Sequence, residues 1–90
     1  MTPDQLRDVR HGILIELYRT SPLGRTGARL AALLRTEVTC TSEDVDRALC
    51  YLQGRGLVEP RNPETLSAGM EPFWFITAQG IDHCEREKIV

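Results

Sequence analysis

Five side chains in this sequence could take part in metal or thiol chemistry: His11, Cys40, Cys50, His83 and Cys84. Zinc sites draw their ligands from close doublets such as C-x₂₋₄-C. Cys40 and Cys50 lie ten positions apart and His83 and Cys84 are adjacent, so the spacing supports no metal site. A redox-sensing thiol needs a lowered pKa, and Cys50 has only Arg47, one helical turn earlier, to provide it. Ile81, three residues before Cys84, places that cysteine in a core. No G-x-S-x-G, H-E-x-x-H or phosphate-cradling glycine loop occurs, and Gly54-x-Gly56 reads as a helix stop. The chain is also short for a substantial pocket beside its core. It reads as a non-enzyme without a cofactor.

Charge is the other source of chemistry. Eleven Lys+Arg against thirteen Asp+Glu give a net charge of -2, where a nucleic-acid binder usually shows a basic excess. The distribution is uneven: residues 1–36 carry +3 and residues 37–90 carry -5. Any basic face must therefore draw on the first third. Apolar residues at 41% and charged residues at 27% describe a globular chain of 90 residues, read as one domain over 1–90. The longest apolar run, Leu30 to Leu34, is far short of the roughly 20 residues a membrane span needs. No basic stretch leads into an apolar core at the N-terminus, which argues against a secretory signal. Three unpaired cysteines suggest a reducing, cytoplasmic setting.

The elements that must position these groups follow from periodicity. Thr2-Pro3-Asp4-Gln5 reads as a capped helix start. Behind it Leu6, Val9, Ile13, Leu14 and Leu17 recur at helical spacing until Ser21-Pro22-Leu23-Gly24 ends the helix. A second helix is expected from Thr26 through Leu34, then a short extended piece at Val38-Thr39-Cys40. Thr41-Ser42-Glu43-Asp44 matches a capping box and opens a third helix, with Val45, Ala48, Leu49 and Leu52 on one face. Leu57-Val58-Glu59 and Phe73-Trp74-Phe75-Ile76 read as strands joined by a turn-rich excursion from Pro60 to Pro72. Thr77 caps a closing helix from Ala78 to about Lys88. On the second strand Trp74 and Ile76 share the inward side, leaving Phe73 and Phe75 outward as an apolar patch.

Three helices followed by a two-stranded hairpin resemble the winged helix-turn-helix domain, mainly α with a small β-hairpin. Leu49-x-x-Leu52-x-x-x-Gly56-Leu57-Val58 looks like the passage from the second motif helix into the wing in bacterial MarR, PadR and ArsR regulators. Phe75-Ile76-Thr77-x-x-Gly80 looks like the second wing strand entering the closing helix of the same regulators. The chain is similar also to short winged-helix proteins of Mu-like prophages.

The resemblance implies a DNA-binding transcription regulator, acting on double-stranded DNA as a homodimer. Helix 42–54 would be the recognition helix, with Asp46, Arg47, Cys50, Tyr51 and Gln53 outward. Ser42, Arg47 and Tyr51 would then meet DNA, Arg47 at a guanine and Tyr51 at a phosphate. Arg25 and Arg29 near the second helix, and Arg55 and Arg61 of the wing, would contact phosphates. Glu43, Asp44 and Asp46 stand against this reading: they occupy the first turn of that helix and would face the phosphate backbone. The alternative is a winged-helix module that binds a protein, as in a phage or assembly adaptor, through the Phe73 and Phe75 face.

Overall fold

The computed structural model describes residues 2–61 and 71–89. Local chemistry sets the helix ends. Thr2 caps α1 (Pro3–Thr20): its hydroxyl accepts from the Gln5 N–H at 3.2 Å, and the Gln5 side chain accepts from the Thr2 N–H at 3.0 Å. Both donors would otherwise lack a partner at the helix end. Thr41 and Asp44 form the same box at the start of α3 (Ser42–Gly54). Thr26 caps the shorter α2 (Gly27–Leu34), and Thr77 caps α4 (Ala78–Arg86). No described helix is long and apolar enough to cross a membrane.

Two helices end in Schellman closures. After α3, Leu57 donates to the Leu52 carbonyl at 3.0 Å and Gly56 to Gln53 at 2.9 Å, with Gly56 at φ 74°. After α4, Ile89 donates to Cys84 at 3.0 Å and Lys88 to Glu85 at 3.4 Å. Here Lys88, at φ 55°, occupies the left-handed position that favours glycine.

The apolar stripes of the first three helices meet in one core. Val9, Ile13, Leu14 and Leu17 of α1 pack with Leu30, Ala31 and Leu34 of α2 and with Val45, Ala48, Leu49 and Leu52 of α3. Leu57, Val58 of the first wing strand and Cys84 of α4 complete it. Burial pushes the Cys84 and Cys40 thiols up, which keeps them protonated. Cys50 is exposed.

The sheet is antiparallel, with strand order β1-β3-β2 for β1 (Arg25–Thr26), β2 (Val58–Arg61) and β3 (Phe73–Ile76). Glu59 pairs with Phe75 and Pro60 with Trp74, while Arg25 pairs with Trp74 across the other edge of β3. Pro60 lacks an N–H, and its strand is an edge strand, where that loss is tolerated. Trp74 and Ile76 pack against the core, as their shared side of the strand requires.

Several sequence-based boundaries change. Val38–Cys40 is not a strand: the Val38 N–H donates to the Leu34 carbonyl at 2.8 Å, winding the chain back on the end of α2. The first wing strand begins at Val58 because the Schellman closure takes the Leu57 N–H. The closing helix stops at Arg86, and Lys88 turns out of it. The strand β1 has no periodic signal of its own, since two residues after a turn show none. Most of the Pro60–Pro72 excursion lies outside the described residues.

One junction joins wing, α3 and α4. The Thr77 hydroxyl accepts from the Gly80 N–H at 3.0 Å and donates to the Gly56 carbonyl at 2.7 Å. The Thr77 N–H donates to the Leu57 carbonyl at 3.0 Å. Gly80 passes so close that a Cβ there would collide with the Leu57 carbonyl oxygen and with Ile76. Gly80→Ala should therefore destabilise the fold by about 3 kcal/mol, read as a lower midpoint in urea unfolding. Lys88→Gly should act in the opposite sense, raising stability by about 0.5–1 kcal/mol because it relieves a left-handed L residue.

Candidate nucleic-acid interface

The crest of α3 is formed by Glu43, Arg47, Cys50 and Gly54, which recur at helical spacing and are all exposed. Asp46 and Gln53 flank it on one side, and Tyr51 and Arg55 on the other; all four are exposed. The five residues expected to point outward from this helix do so.

Two of its three acids have a partner within the fold, and the third, Asp46, is exposed beside the start of α2. The Asp44 carboxylate accepts from the Thr41 N–H at 2.9 Å in the capping box. That backbone hydrogen bond, with help from the Thr41 hydroxyl and Arg47, holds its pKa below the ordinary carboxylate value. Glu43 pairs with Arg47 one turn on, at 2.7 Å, with both side chains exposed. Asp46 leans toward α2: a Cβ on Gly27 would lie 3.3 Å from its Oδ1 and 3.5 Å from Glu71 Oε1. α2 has no acid in its own first turn, so these two carboxylates supply the negative charge its positive end favours. Of the three acids expected in the first turn, the structure places Glu43 and Asp44 there; Asp44 is committed to the cap, whereas Glu43 stays on the exposed crest beside Arg47.

The bases divide into groups. Arg29 is exposed beside the start of α2, with no side-chain hydrogen bond or ion pair among the described residues. Arg35 Nη2 donates to Ser42 Oγ at 2.9 Å, bridging the turn between α2 and α3. Among the described residues Arg47 is held only by the exposed pair with Glu43, and such pairs contribute about 0.3–0.5 kcal/mol, so release costs little. Arg61 in the wing pairs with Glu59 and stacks 4.8 Å from the Phe75 ring centroid. Arg25 is turned away: half-buried, its Nε lies 3.9 Å from Glu16 of α1 and its Nη1 donates to the Gly24 carbonyl at 3.5 Å. Tyr51 and Arg55 sit on the α1 side of α3, where Arg55 Nη1 donates to the Tyr51 hydroxyl at 3.1 Å. Arg10 of α1 lies over the Tyr51 ring at 3.7 Å. No local signal relates residues so far apart in the chain.

The apolar patch expected at Phe73 and Phe75 is smaller than the strand alternation implies, because both are half-buried. Arg61 covers Phe75, and Gly24 approaches its ring so closely that a Cβ there would stand 2.8 Å from it. The exposed large apolar side chains among the described residues are Leu23 and Tyr51. No group of three His, Cys, Asp or Glu among the described residues is placed to hold a metal.

Because folding lowers the Asp44 pKa, its contribution to stability is present at neutral pH and lost as pH falls through its folded titration point. An NMR titration should place the Asp44 midpoint below that of an ordinary aspartate. Asp44→Ala should flatten the acid limb of the stability profile.

No protein-family model matches the sequence, and no curated protein does either. Solved structures do. A point mutant of ZitR from Lactococcus lactis superposes with a TM-score of 0.70 at 19% identity, over 89% of this chain and 49% of that one. A PadR family transcription regulator from hypervirulent Clostridium difficile gives 0.73 at 18% identity, over 89% of this chain and 82% of that one. A MarR family transcription regulator gives 0.68 at 23% identity, over 94% and 56% respectively. The chain thus spans about half the length of ZitR. These likenesses establish the winged-helix fold, with α2 and α3 as the helix-turn-helix and β2 and β3 as a small wing.

Proposed function

We propose that this winged-helix chain binds double-stranded DNA as a transcription regulator, with α3 in the major groove. The observation that carries the reading is the state of α3: an exposed crest that presents Arg47, with Asp44 of its first turn taken up by the Thr41 cap and Asp46 set toward the start of α2. Arg47, released from its exposed pair with Glu43, reads a guanine edge, and Ser42 and Arg29 meet the backbone beside it. Arg61 serves the neighbouring groove from the wing. The overall fold shared with proteins named as PadR and MarR family transcription regulators supports the same reading. A homodimer follows from area, since one such helix offers little specific surface and two half-sites supply more. The cytoplasm is the setting in which such a protein would meet DNA.

The net charge of -2 favours a second reading, a module that binds protein through the Phe73 and Phe75 side of the wing. The partial cover of those rings reduces the apolar area it could use. Fluorescence anisotropy on duplex DNA separates the two. DNA binding should weaken steeply as salt rises, because contacts with phosphates release counterions. Arg47→Ala should cost about 1–3 kcal/mol on a specific site, whereas Arg29→Ala should weaken all sequences alike and flatten the salt slope by about one. Absence of binding at low salt would remove the first reading. Unchanged partner capture by Phe73→Ser and Phe75→Ser would remove the second.

A further inference from the structure

Tyr51 and Arg55 form one wall of a cleft of about 300 Å³ between α1, the end of α3 and α4. Arg7 and Arg10 line it from α1, with Arg10 in contact with the Tyr51 ring, and His83 lines it from α4. Leu14 and Leu52 give it an apolar floor. Two guanidinium groups address the same ring, Arg10 at 3.7 Å and Arg55 at 5.9 Å from its centroid. Neither lies within ion-pair distance of a described carboxylate. Arg10 Nε is moreover buried without a hydrogen-bond partner among the described residues. Among the described residues Arg7 is held only by Asp4, in an exposed pair at 3.1 Å. Glu87 is the one acid lining the cleft among the described residues.

Like charges gathered around one aromatic ring repel, and guanidinium forks bind phosphate or carboxylate oxygens bidentately. Concave sites of this size, apolar below and charged at one end, suit a small molecule of matching polarity. We propose that the cleft binds a small organic dianion, its charged end between Arg10 and Arg55 and its apolar body on Leu14 and Leu52. A phosphate monoester and an aromatic dicarboxylate share that chemistry. The site is separate from the crest of α3, and its occupancy does not require that the chain bind DNA.

Phenyl phosphate and phthalate serve as probes, titrated against amide NMR spectra of the full chain. Chemical-shift changes should concentrate around Arg10, Tyr51 and His83. Either probe binding there supports the site, and the tighter one assigns phosphate monoester or dicarboxylate. Arg10→Gln and Arg55→Gln should each weaken binding about tenfold, the loss of one charge-assisted contact. Arg29→Gln, on α2, should leave it unchanged. If Arg10→Gln does not fold, Arg7→Gln and Arg55→Gln decide the matter, since both side chains are exposed. Three results would overturn the proposal: no shifts at millimolar probe, equal affinity for inorganic phosphate as an adventitious ion only, or undiminished binding by the folded variants. DNA plays no part in these readouts, so their failure is distinct from failure of the DNA-binding reading.

Discussion

The close passage of α4 over the turn between α3 and β2 governs the arrangement of everything else. Thr77 is at once the cap of α4 and a donor to the Gly56 carbonyl, and Gly80 is the residue whose missing side chain lets the two backbones meet. Gly56 makes that turn possible by taking the left-handed conformation directly after α3. These contacts settle where the wing leaves the helix and which side of α1 the closing helix covers. The segments Gly56-Leu57-Val58 and Thr77-x-x-Gly80 are thus two halves of one physical contact.

Electrostatics shows a similar economy. A chain with a net charge of -2 presents a helix whose first turn is acidic, yet those charges serve the fold before they serve any surface. Asp44 closes a capping box, Asp46 stands at the positive end of α2, and Glu43 meets Arg47. The arginines are distributed in the same way. Arg35 ties the helix-turn-helix through Ser42, and Arg25 is drawn back toward Glu16. Around the helix-turn-helix and wing, the bases left for contact with another molecule are fewer than a count of charges implies: Arg29 on α2, Arg47 on α3 and Arg61 in the wing, with Arg10 and Arg55 gathered around Tyr51.

Much of this was legible from residue types. Thr2, Thr41 and Thr77 mark helix starts because a hydroxyl at that point satisfies backbone donors, a purely local effect. The burial of Val45, Ala48, Leu49 and Leu52, and of Trp74 and Ile76 toward the core, follows from helical and strand periods. The two-residue strand β1 was not legible, because its existence depends on an edge of β3 that lies far away in the chain. For the same reason the cover over Phe75 escaped the alternation rule: Gly24 and Arg61 reach it from other elements.

By itself, then, the order of residues determined three amphipathic helices, a hairpin, a closing helix and the exposed crest of the third helix, since caps and periodicities act within a few residues. Only the tertiary structure decided which charged side chains remain available. Arg10 and Tyr51 are forty-one positions apart, and nothing short of packing α1 against α3 brings a guanidinium over that ring. Ion pairing and stacking are through-space interactions, and through-space neighbours are set by the way helices cross.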